Sequence, residues 1–162
     1  MKSEKGITLI VLITTIVIMV ILASVAINAG NGSIESAKLQ NFNYELQQVQ
    51  GKVDTMYEKI KLGNEEYKTL GSDITISNKA VQTLKTVKNI DYTNLSEDDR
   101  DKYYYDETNT KYRYLSENEI RSNMNISSNP GDMIINFETR EVISVDGYEY
   151  KDEIYYSLDQ MR

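Results

Sequence analysis

Any chemistry in this chain falls to carboxylates and tyrosines. It has no cysteine and no histidine. Thiolate nucleophiles, disulfides, the commonest general base and the commonest metal ligand are therefore missing. There is no Gly-rich phosphate loop. Paired carboxylates can act as acid and base across a cleft, as in glycoside hydrolysis. With 25 Asp and Glu, pairs occur throughout the chain and none stands out. The densest oxygen cluster is Asp91, Asn94, Glu97, Asp98 and Asp99, a ligand type that calcium takes. Its spacing matches no EF-hand loop. Ser96 followed by three acids reads equally as an N-cap with an acidic first turn, leading a helix towards Tyr103. Tyr103-Tyr104-Tyr105 and Tyr112-Arg113-Tyr114 offer either an aromatic recognition surface or packing. With two Phe and no Trp, tyrosine must supply the aromatic packing, which favours the second use. These residues assign no catalytic group, no metal and no cofactor, and the chain reads as a non-enzyme.

The elements around these residues point to an α+β fold. Leu39, Phe42, Leu46, Val49, Val53, Met56 and Ile60 recur at spacings of three and four, one apolar stripe on a helix over residues 33–62. Gln47, Gln48, Lys52, Asp54 and Lys59 occupy its other side. Lys59 and Lys61 suit its carboxyl end, and Gly63 its cap. Asn78 with the following KAVQTLKTV predicts a short helix with Ala80, Leu84 and Val87 inward. Ser116-Glu117-Asn118-Glu119 fits a capping box, with Ile120 and Met124 inward. Asn129-Pro130-Gly131 is a turn. Residues 132–158 read as antiparallel strands: 132–137, then 141–145, then, after the Asp146-Gly147 turn, a further strand pair or an irregular crossing. One face of this small sheet is available to cover the helix stripe.

Ahead of all this stands GITLIVLITTIVIMVILASVAI, from Gly6 to Ile27, with no charged residue from Gly6 through Ile34. A run of about 20 apolar residues matches a bilayer core, and a helix satisfies its own backbone there. A signal peptide has a shorter apolar stretch and a small-x-small site after it. Ala23, Ala26 and Ala29 offer only a loose version of that site. Lys2 and Lys5 precede the run and Glu35 follows it, so the amino terminus is expected in the cytoplasm and residues from about 30 onward outside. Asn28-Ala29-Gly30-Asn31-Gly32-Ser33 reads as a loop or as a weak point in one long helix. Lys and Arg number 18, giving a net charge of −7, which argues against nucleic-acid binding by bulk charge.

From Lys5 the residues resemble a known family. Lys5-Gly6-Ile7-Thr8-Leu9-Ile10, after a short basic leader and before an apolar helix, is similar to the type IV pilin-like proteins, pseudopilins included. The resemblance covers roughly residues 5–30. It implies that residues 1–6 are a leader and that a prepilin peptidase cuts between Gly6 and Ile7. Ile7 is then N-methylated. Residues 7–29 become a transmembrane and filament-core helix, and residues 30–162 an extracytoplasmic globular domain. It also implies a pilin-like fold, a long first helix on a small antiparallel sheet. The implied role is a structural subunit of a pilus-like or type II secretion-like filament, partnered by other pilin-like subunits, an assembly ATPase, a membrane platform and the lipid bilayer. Two positions depart from the pattern. Val11 stands where the family usually has a glutamate, and Asn28 where a proline is often found. Without that glutamate, the chain is either a minor or tip subunit, or one whose filament packs by apolar contact alone. A membrane-anchored binding module that never polymerises is the alternative reading.

Overall fold

In the computed structural model the backbone is described for residues 4–74, 79–89 and 111–162, and side chains for 11–24, 32–74, 79–89 and 111–162. The first helix, α1, runs from Glu4–Lys61. Its backbone is helical through Asn28–Ser33, so the loop reading of that stretch does not hold and Ser33 caps no new helix. The chain divides into two compact units, Met1–Gln40 and Asn41–Arg162. The described residues of the first, 4–40, belong to helix α1.

The second unit is α+β. Its sheet comprises β1 (Ser72–Asp73), β2 (Arg113–Leu115), β3 (Met133–Asn136) and β4 (Glu141–Ser144), antiparallel and in that spatial order. Helix α2 spans Lys79–Lys88 and α3 spans Glu117–Met124. A separate hairpin joins β5 (Tyr148–Tyr150) to β6 (Glu153–Tyr155). Short 3-10 turns cover Glu65–Thr69 and Leu158–Met161.

Both sheet faces are buried. Phe42, Leu46, Val49, Val53, Met56 and Ile60 of α1 pack with Ile120 and Met124 of α3 against Leu115, Met133, Ile135 and Val142. On the other face Ala80, Val81 and Leu84 of α2 meet Ile134, Ile143, Tyr112 and Val145. Alternation along β3 sends Met133 and Ile135 one way and Ile134 the other. One face of the sheet covers the α1 stripe as expected, and its second face, covered by α2, adds a third layer. The expected carboxyl-terminal sheet is corrected: β1 and β2 come from earlier in the chain. Of the expected strand segment 132–158, the last part forms its own two-stranded sheet rather than extending the first.

Local chemistry fixes these elements. Gly63 has φ +97°; its N–H donates to the Ile60 carbonyl at 2.9 Å, and the Asn64 N–H to that of Lys59 at 3.1 Å. This paired pattern closes α1. At α3 the Glu119 carboxylate accepts from the Ser116 N–H at 2.8 Å. Asp132 accepts from the Glu117 N–H at 2.9 Å and from the Tyr114 hydroxyl at 2.6 Å. Fully buried Asn136 accepts from the N–H groups of Glu138 and Thr139 at 3.0 and 3.1 Å, which folds the turn to β4. Arg113 donates to the carbonyls of Thr69, Leu70 and Gly71 at 3.0, 3.3 and 2.6 Å and pairs with Asp73. It thereby fastens β1 to β2. Gly71 is required there: an added Cβ would lie 2.5 Å from the Tyr114 carbonyl oxygen. Lys79 pairs with Asp146 and Lys88 with Glu141, pinning both ends of α2 to the ends of β4.

Leu46→Ala, at the centre of the α1 stripe, is expected to destabilise the compact unit by about 2–5 kcal/mol, read by urea unfolding of the detergent-solubilised chain. The Tyr114 hydroxyl is pushed up to about 12, first by its hydrogen bond to Asp132 and then by burial. That bond therefore stabilises fully below pH 10.0, where a free tyrosine ionises, and is lost as pH rises through about 12. Tyr114→Phe should cost about 1 kcal/mol at neutral pH, and the gap to wild type should close in alkali; a gap constant to pH 12 refutes the assignment.

Candidate functional site

The candidate site is the first part of α1. Gly6 and Ile7 lie in its helical backbone, and their side chains fall outside the described residues. From Val11 to Leu22, ten large apolar side chains are 51–70% exposed. Ile16 through Leu22 are seven in succession, nearly two helical turns, so apolar surface faces every direction around the axis. A helix apolar all round belongs in a protein core or a membrane. Left in water, this surface costs on the order of 10 kcal/mol, comparable with the whole stability of a small domain.

The polar side chains of the segment are turned inward. The Thr14 hydroxyl donates to the Val11 carbonyl at 2.9 Å, Thr15 to Leu12 at 2.8 Å and Ser24 to Ile21 at 2.8 Å. Each thereby satisfies its hydroxyl donor within the helix. Among the described residues no helix is long and apolar enough to cross a membrane. The described side chains of the run, residues 11–24, are shorter than the roughly 20 residues that a bilayer core requires.

Of the seven predicted packing residues, Phe42, Leu46, Val49, Val53, Met56 and Ile60 are buried together in the second unit. Leu39 is half-buried and lies in the first unit. Sequence reasoning missed the residues that extend this packing: Phe137 and Ile126 are buried with the stripe, and Tyr148 of β5 stacks on Phe42 with ring centroids 5.5 Å apart. Tyr112 is buried, and Tyr114 is half-buried in the sheet, which places both in packing. The calcium candidates Asp91, Asn94, Glu97, Asp98 and Asp99, and Tyr103–Tyr105, lie outside the described residues. Among the described residues no group of three or more His, Cys, Asp or Glu could hold a metal ion. A cleft of about 280 Å³ between Gln50, Asp54, residues 139–142 and residues 157–159 is polar and open to solvent.

Comparison with protein-family models, with curated proteins and with solved structures finds no match.

If the exposed segment sits in an apolar medium, Ile18→Asp should lower the membrane-retained fraction of the chain, since a central Asp costs about 2.5–3.5 kcal/mol there. Thr86→Asp, exposed on α2, should leave fractionation unchanged. Equal retention of the two variants contradicts this reading.

Proposed function

We propose that this chain is a structural subunit of a type IV pilus-like or type II secretion-like filament and has no catalytic role. The observation that carries the reading is the helix around Val11–Leu22, apolar on all sides and with its hydroxyls folded back. Such a helix needs lipid around it in a single copy and like helices around it in an assembly. The Lys5-Gly6-Ile7-Thr8-Leu9-Ile10 stretch, by its resemblance to pilin-like precursors, supports a cut by a prepilin peptidase after Gly6 and methylation of Ile7. In this reading the precursor spans the cytoplasmic membrane once, amino terminus inside. An assembly ATPase and a membrane platform then move it into an extracellular filament. The pilin-like fold, with the membrane-spanning first half of α1, belongs to the same proposal.

Val11 favours a second reading. Where the family places a glutamate to pair with a neighbour's amino terminus, this chain offers only a half-exposed aliphatic side chain. An unpaired carboxylate in lipid is costly, so a pair there fixes axial register. A subunit lacking it fits a minor or tip position, or an anchored binding module, as well as the filament body.

Mass spectrometry of the native protein is expected to find an amino terminus at Ile7 carrying a methyl group. Replacing Gly6 by a bulkier residue should leave the full-length precursor in the membrane. Normal surface assembly of the Gly6 variant, or native protein that retains Met1, refutes the proposal.

A further inference from the structure

The outer edge of β4 carries an unfinished ladder. The Val145 N–H donates to the Asp132 carbonyl at 2.9 Å. In the register of β3 with β4 this makes Ile134–Ile143 and Asn136–Glu141 the hydrogen-bonded pairs. Val142 and Ser144 therefore point their N–H and C=O groups away from β3, at the edge of the sheet. The Ser144 N–H donates to the Tyr156 carbonyl at 2.8 Å. From Ser157 the chain enters the 3-10 turn at Leu158–Met161, and the place beside Val142 is left open. Val142 is 5% exposed, and its outward N–H and C=O have no partner among the described residues. A buried residue seldom leaves both groups unpaired. The polar cleft of about 280 Å³ lies along this gap, between the β3–β4 turn and residues 157–159. Arg140 lines it, with its guanidinium 5.0 Å from the centre of the Tyr57 ring. Its ion-pair partner Asp54 is 4.0 Å away, too far for a hydrogen bond.

We infer that this gap receives a short extended peptide of a partner protein, which pairs its backbone with Val142 and sets a carboxylate on Arg140. The site stands whether or not the chain enters a filament. Strand addition at a sheet edge takes its affinity from main-chain hydrogen bonds and its selectivity from side-chain contacts. Here the guest continues the ladder that Tyr156 begins at Ser144. Only residues 141–143 separate Ser144 from Arg140 in the turn, about 10 Å of strand, so the guest is a short segment. Arg140 supplies the selectivity, because a guanidinium takes a carboxylate through two parallel N–H bonds. Elsewhere a chain of net charge −7 repels acidic partners, which confines such a peptide to this cleft.

The probe is acetyl-Val-Glu-Val-amide, added to the isotope-labelled full chain in detergent micelles, with backbone hydrogen exchange read by NMR. Exchange at the Val142 amide is expected to slow about tenfold at about 10 mM peptide, as a Kd near 1 mM requires. The Ser144 amide, already bonded to Tyr156, should change little. Acetyl-Val-Lys-Val-amide should protect Val142 less, and the Glu peptide with N-methylated backbone nitrogens should not protect it. Arg140→Gln, at an exposed position, should abolish the preference for Glu over Lys while leaving the urea midpoint unchanged. No slowing at Val142, equal slowing by the N-methylated peptide, or equal slowing by the Lys peptide overturns the inference. A Val142 amide already protected in the chain alone overturns it too: protection that survives dilution shows the chain filling the gap itself, and protection that fades on dilution shows a second copy there.

Discussion

The compact unit depends on a four-stranded sheet that must hide both of its faces. β3 lies inside the sheet, between β2 and β4, and all four of its residues are buried. One face takes the stripe of α1 and the inner side of α3; the other takes α2. Neither helical layer alone would suffice, because an uncovered face would leave Ile134 and Ile143, or Met133 and Ile135, in water. The Lys79–Asp146 pair is mostly exposed and the Lys88–Glu141 pair about one-third exposed, so solvent weakens both and they add little energy. Their use is positional, since they hold α2 along β4 while the apolar contacts supply the stabilisation.

Periodicity made part of this legible and distance hid the rest. The α1 stripe repeats over many turns, and six of its seven residues are buried as the spacing implies. The capping box at Ser116, the cap at Gly63 and the inward residues of α2 and α3 follow from local chemistry, which a short window contains. β1 and β2 have two and three residues, too short for an alternating pattern. Their pairing rests on Arg113 reaching carbonyls some 42 to 44 positions away, which no window shows. The second covered face did leave a signal. Met133-Ile134-Ile135 is continuous rather than alternating, the mark of a strand buried on both sides. The last hairpin was left between a strand pair and an irregular crossing for another reason: Lys151 and Asp152 both adopt positive φ, a conformation that Asn-Gly usually takes.

The amino-terminal segment presents the opposite case. Its apolar composition was plain in the sequence, and in the structure the large apolar side chains from Val11 to Leu22 are exposed. The candidate cleavage bond at Gly6 rests on resemblance, because leader chemistry is read by an enzyme and leaves no packing trace.

Glu141 has a consequence of its own. Its carboxylate receives Lys88, where the chain leaves α2, and the Tyr112 hydroxyl, where the chain comes back to the sheet. One carboxylate thus ties the end of α2 and the approach to β2 to the same strand, so a single change at Glu141 would unfasten two elements at once.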